Sequence, residues 1–149
     1  MSEMQIIAAR REDFEQVFAL LPQLWPERHL DREKIFQVYM QALDSKQQEY
    51  FIARVAQRVV GFISVRIVTN LWAQGNLLEI EELVVDEAYR SMQIGTKLLQ
   101  KTIVIAEQNH CRTVEVTSHV NRTRAHNFYE INGFKKLAVH FLREIDSFK

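Results

Sequence analysis

Between Leu83 and Leu99 the chain changes its hydrophobic period within a few residues. Leu83-Val84-Val85 is a contiguous apolar run of the kind carried by a buried strand, whereas Ile94, Leu98 and Leu99 recur at helical spacing. Only a short polar turn separates them. Any fold available to the chain must therefore set a helix start beside a strand end. Such a helix start carries about half a positive charge and four N–H groups without intrahelical partners, so it can hold a pyrophosphate without any lysine. Gly95, lacking Cβ, lets an anion approach the backbone closely. The plain alternative is an ordinary strand-to-helix turn.

The rest of the chain shows the same two periods. Met4 to Ala9 reads as a short strand. Phe14, Val17, Phe18, Leu21, Leu24 and Trp25 gather on one face of a helix that Pro22 and Pro26 should distort and end. A second helix starts from Asp31 as N-cap and runs through Ile35, Val38, Tyr39, Ala42 and Leu43. Glu49 to Ala56 and Val59 to Val68 form a β-hairpin with Gln57 and Arg58 as the connection, and after a polar break, Thr69 to Asn76, Leu77 to Asp86 is a third strand. A helix follows on Ile94, Leu98, Leu99, Ile103 and Ala106, then a strand at Val114 and Val116, a short helix over 125 to 132 with Gly133 as its cap, and a closing strand region from Leu137 to Ile145. The order β α α β β β α β α β β predicts an α/β (α+β) fold with a mixed sheet flanked by helices. With 149 residues and no repeat or linker-like tract, residues 1–149 are expected to be one domain.

Nineteen Lys and Arg balance nineteen Asp and Glu, so no net field draws the chain to nucleic acid or anionic lipid. No apolar run approaches the roughly 18 residues of a membrane span, and MSEMQIIAARRED lacks a secretory apolar stretch, so a cytoplasmic location is expected. The single cysteine, Cys111, excludes an internal disulfide and reads as a small buried thiol. His29, His110, His119, His126 and His140 contain no H-E-x-x-H pair, and no metal is expected.

Arg90-Ser91-Met92-Gln93-Ile94-Gly95 resembles the acetyl-CoA loop of the GCN5-related N-acetyltransferase (GNAT) superfamily, Arg/Gln-x-x-Gly/Ala-x-Gly/Ala, except that Gln93 stands where the pattern has Gly or Ala. Asn121 to Phe134, with Asn121, Ala125, Tyr129 and Gly133-Phe134, is similar to that family's later helix. The two markers lie about thirty residues apart, and the element order fits over nearly the whole chain. Glu79-Ile80-Glu81-Glu82-Leu83-Val84-Val85 before the loop and Arg122-x-x-Ala-His-x-Phe-Tyr129 after it look most like small-amine acetyltransferases, aminoalkylphosphonate N-acetyltransferases among them. The resemblance implies a largely antiparallel sheet and direct, single-step transfer of acetyl from acetyl-CoA to a primary amine on a small molecule. It also allows a homodimer.

Acyl transfer to an amine needs a neutral nitrogen, a polarised carbonyl and help for the departing thiolate. Deprotonating a lysine-like amine at pH 7 costs about 4.6 kcal/mol, which makes a base useful. By position, the resemblance makes Glu79 the first candidate and Glu82 the second, and strict alternation puts Glu79 and Glu81 on the face opposite Glu82 unless a bulge intervenes. It further implies that N–H groups at Leu83, Val84 and Val85 bind pantetheine and the thioester oxygen. The loop Arg90, Ser91, Met92, Gln93, Ile94, Gly95 and Thr96 would hold the pyrophosphate, and Tyr129 would face the sulfur. Tyr129 is alternatively a core residue. Asn121 either bonds the pantetheine arm or caps the following helix. Arg122 and Arg124 either meet the ribose phosphate or form a solvated face. Trp25, His29 and Trp72 are candidate walls of the amine pocket. Gln93 also prompts a different reading, a CoA-binding sensor without turnover, and a peptide or protein N-acetyltransferase differs only in substrate.

Overall fold

Residues 59 to 65 are buried at every position and form the middle of a five-stranded sheet. The computed structural model describes residues 3–145, the side chain of Ser91 excepted. Residues up to Val116 form one compact unit and those from Thr117 another. In the first, strands β1 (Met4–Ala8), β2 (Gln48–Val55), β3 (Arg58–Asn70), β4 (Gly75–Val85) and β5 (Val114–Val116) lie in sequence order. The first three pairings are antiparallel, and β5 runs parallel to β4. Helices α1 (Phe14–Leu24), α2 (Arg32–Asp44) and α3 (Ile94–Gln108) flank the sheet. Among the described residues no helix is long and apolar enough to cross a membrane.

One sheet face is covered by α1 and α2, where Phe14, Val17, Leu20, Leu24, Tyr39 and Ala42 pack with Tyr50, Ile52, Phe62 and Val84. Asp31 caps α2 as expected, its carboxylate accepting from the Lys34 N–H at 3.1 Å. Helix α1 keeps Pro22 within its last turn and stops at Leu24, ahead of Pro26. On the opposite face α3 presents Ile94, Leu98, Thr102, Ile105 and Ala106. The expected Ile103 is 40% exposed, and Thr102 takes its place. A hydroxyl is tolerated there because Thr102 Oγ1 donates to the Leu98 carbonyl at 3.2 Å.

Two connections differ from expectation. Val55 pairs with Arg58, so the first hairpin turns on Ala56-Gln57, with Ala56 at φ 56°, rather than on Gln57-Arg58. The polar break is partly ladder, since Thr69 and Asn70 pair with Asn76 and Gly75, leaving only residues 71–74 as connection. Polar side chains mark solvent exposure, which an outlying stretch of strand shares with a loop.

In the second unit, α4 (Thr123–Ile131) ends in a motif built by Gly133 and Phe134. Gly133, at φ 92°, donates to the Glu130 carbonyl at 3.1 Å and Phe134 to the Tyr129 carbonyl at 3.0 Å. This Schellman arrangement needs a left-handed residue, which glycine adopts without strain. The Phe134 ring meets Tyr129 at 5.6 Å, the apolar contact that accompanies the motif. The two strands expected at the end of the order are not formed by residues 134–145, where Leu137 is 79% and Phe141 89% exposed. Alternation fixes which side chains share a face, but a strand also needs a partner edge.

Gly61 sets the spacing between α3 and the sheet: a Cβ there would lie 3.1 Å from Ile94 and Leu98 and 3.3 Å from Ala53. Gly61→Ala is expected to destabilise the protein by about 1–3 kcal/mol, since the packed α3 must give way. A thermal melt superimposable on the wild type's would refute this contact.

Candidate functional site

The site grows from the way β4 loses its neighbour. β5 pairs with β4 only at Leu78, Glu79 and Ile80, whereas β4 continues to Val85. Beyond Ile80 that edge carries no further strand in the first unit, among the described residues. On the other edge, Ser64 and Val65 of β3 face Glu82 and Ile80, so Glu81 is an extra residue, a β-bulge.

The bulge reverses the direction of the amides. Leu78 N–H points toward β5, donating to the Thr113 carbonyl at 3.0 Å. Four residues on, Glu82 N–H points toward β3, donating to Ser64 Oγ at 2.8 Å, and Asp86 N–H donates to the Val60 carbonyl at 2.8 Å. Alternation then sends the N–H groups of Leu83 and Val85 out of the open edge and that of Val84 toward β3. Of the three amides expected to serve a ligand, two face outward.

The bulge also moves the carboxylates. Cross-strand partners share a face, and Ser64 and Arg66 are two apart on β3, so Glu82 and Glu79 lie on the same face. The expected separation of Glu79 from Glu82 is thereby corrected. Arg66 reaches Glu79 at 3.1 Å and Glu81 at 3.9 Å. Glu82 is half-buried and accepts from Ser64 Oγ at 2.5 Å. Burial raises its pKa above the ordinary carboxylate value, the Ser64 hydrogen bond opposes that rise, and the charge of Glu81 adds to it. Tyr50, the β2 partner of Ser64, is buried on this face, and its phenol is pushed up by burial and by Glu82 and Glu81.

At the end of β4 the chain is clamped before it turns into α3. Asp86 accepts from Ala88 N–H at 3.1 Å and from Arg58 at 3.2 Å, while Gln23 on α1 lies 3.5 Å from it and accepts from Glu87 N–H at 3.0 Å. Its pKa is held down chiefly by the Ala88 hydrogen bond. Arg90 donates to the Val85 carbonyl at 3.4 Å from the short 3-10 turn Glu87–Met92. Gln93 then adopts φ 58°, ψ 26°, a left-handed conformation that favours glycine. The first intrahelical bond runs from Lys97 N–H to the Gln93 carbonyl, leaving Ile94, Gly95 and Thr96 N–H ahead of the ladder with no side-chain cap.

In the second unit Tyr129 sits on α4, half-buried between Phe128 and Phe134, with its phenol raised by burial against the opposing charge of Arg122. Asn121 does not cap α4: the N-cap position is Arg122, and the Asn121 N–H donates to His119 Nδ1 at 3.2 Å. His126 Nε2 meets the His119 carbonyl at 2.9 Å. Of the remaining candidates, Trp25 packs against the first unit's core, His29 is exposed, and Trp72 is 66% exposed on the β3–β4 connection. Cys111 is only half-buried. Sequence reading passed over Ser64, Arg66, Gly61 and Gln23. Ser64 was findable as the lone hydroxyl within the apolar run 59 to 65.

A profile described as the Acetyltransferase (GNAT) family matches residues 10–134. The aminoalkylphosphonate N-acetyltransferase of Salmonella typhimurium is 29% identical over 137 residues, covering 92% of this chain and 88% of its own. An N-alpha-acetyltransferase of Sulfurisphaera tokodaii is 29% identical over 147 residues, covering 92% and 83%. Among solved structures, an aminoglycoside N-acetyltransferase in complex with CoA superimposes with a TM-score of 0.85 at 19% identity, covering 97% of this chain and 96% of that one.

The left-handed Gln93 gives the loop a direct test. Gln93→Gly should raise stability by up to about 1 kcal/mol, because the Cβ strain it removes outweighs the added freedom of the unfolded chain. A lowered melting temperature would place the strain elsewhere.

Proposed function

The chain belongs to the acetyltransferase (GNAT) family, and from that premise we propose that it transfers acetyl from acetyl-CoA directly to a primary amine on a small molecule. The observation that carries this reading is the open edge of β4, with the Leu83 and Val85 amides directed outward and the start of α3 following a few residues later. In this reading Ile94, Gly95 and Thr96 N–H hold the pyrophosphate, aided by Arg90, Ser91, Met92 and Gln93 in the turn before them. Leu83 and Val85 bind the pantetheine arm and polarise the thioester oxygen. Asn121 bonds the same arm. The family match runs through residues of both units and supports treating residues 1–149 as one acetyltransferase domain.

The base is Glu82, ahead of Glu79. Glu79 is tied to Arg66, whereas Glu82 is half-buried with a raised pKa, which suits proton removal from an ammonium. The freed nitrogen attacks the thioester carbon, the C–N bond forms, the C–S bond breaks, and the sulfur takes a proton. Tyr129 supplies or shares that proton. Transfer from a phenol to a thiolate is uphill by about 2 kcal/mol in water, so hydrogen bonding to the developing charge is its main contribution. The Salmonella and aminoglycoside enzymes support a small amine as acceptor. The Sulfurisphaera relative favours a peptide N-terminus as the second reading.

Calorimetry with CoA followed by a thiol-release assay over small amines and peptides tests the proposal. Binding with turnover on a small amine is expected; binding without turnover on any acceptor would indicate a silent CoA sensor. A carboxylate acts as base only when ionised, so kcat/KM should rise with pH through a limb above the usual Glu value of about 4.3. Glu82→Gln should remove that limb and lower kcat/KM about 100-fold or more. An unchanged profile would move the base to Glu79 or to water. Tyr129→Phe should cut kcat at least about tenfold with little change in CoA affinity, and an unaltered kcat would end its assignment.

A further inference from the structure

Ser64 is fully buried in β3, on the face that carries Tyr50 and Glu82, and both of its hydrogen bonds go to one residue. Its Oγ accepts from Glu82 N–H at 2.8 Å and donates to Glu82 Oε1 at 2.5 Å. The bulge explains the first bond. Inserting Glu81 shifts the β3–β4 register between Glu82 and Ile80, and at that point a hydroxyl on the facing strand accepts from the Glu82 N–H. The second bond fixes the carboxylate of the same residue, so one side chain holds both the backbone and the side chain of Glu82.

We propose that Ser64 is a positioning residue that closes the β4 bulge and orients the Glu82 carboxylate toward the acceptor amine. An apolar side chain here would remove both bonds and free the carboxylate to rotate. Donation to an ionised carboxylate stabilises the charged form, so Ser64 offsets part of the effect of burial and of Glu81. The other groups on this face are Tyr50 from β2 and the pair of Arg66 from β3 with Glu79 and Glu81. The orienting role rests on the reading of Glu82 as base, whereas the effect on the titration of Glu82 does not.

The test therefore follows Glu82 directly, by the carboxyl carbon resonance that Glu82→Gln deletes, across a pH titration of the full chain. Ser64→Ala should raise the midpoint by about one pH unit, as expected for loss of a hydrogen bond to a charged group. The lower limb of kcat/KM should move with it, and its plateau should fall about tenfold. Ser64→Thr, which keeps the hydroxyl and suits a strand, should restore both. If Ser64→Ala does not fold, Ser64→Cys, with a weaker donor of similar shape, should move the midpoint in the same direction. A midpoint unchanged in a folded Ser64→Ala or Ser64→Cys protein overturns the proposal. An intact lower limb in Glu82→Gln instead overturns the reading of Glu82 as base, and the orienting role with it.

Discussion

A strand bonded along one edge only leaves N–H groups that must find another acceptor, and one inserted residue determines which N–H groups these are. In β4 that residue is Glu81. Before it, even-numbered amides face β5; after it, they face β3, and Leu83 and Val85 are left for the open edge. The same insertion brings Glu82 onto the face of Glu79, where Tyr50 and Ser64 enclose it. Two outward-facing amides and a half-buried carboxylate thus arise from a single irregularity, within the same few residues.

The rest of the first unit serves to keep that irregularity beside a helix start. Gly61 admits Ile94 and Leu98 against β3, which seats the first turn of α3 over the sheet. Asp86, held by Ala88, Arg58 and Gln23, fixes the exit of β4. Gln93 accepts a left-handed conformation so that the chain can turn sharply into α3. Gln93 stands where the loop pattern it resembles has Gly or Ala, and this is the position at which the backbone adopts φ > 0, so the departure bears on stability.

Much of this was legible beforehand, because the decisive features are local. The Asp31 cap, the α3 stripe at Ile94, Leu98, Leu99 and Ala106, the strand at Val114 and Val116 and the glycine after α4 follow from local residue type and spacing. What escaped depends on pairing across the chain. Strict alternation assigns Glu79 and Glu82 to opposite faces, and no residue type announces a bulge at Glu81. Ser64 has no meaning until Glu82 lies opposite it. The strand expected from Leu137 to Ile145 likewise rested on residue type alone, and residues 134–145 form no strand.

Backbone hydrogen exchange at β4 tests the central claim most directly, since it reads each amide singly. Without ligand, Leu83 and Val85 N–H should exchange markedly faster than Val84 N–H, which faces β3, and saturating CoA should slow both. Equal protection of all three amides in the free protein, or bound CoA that leaves Leu83 and Val85 unprotected, would contradict the account.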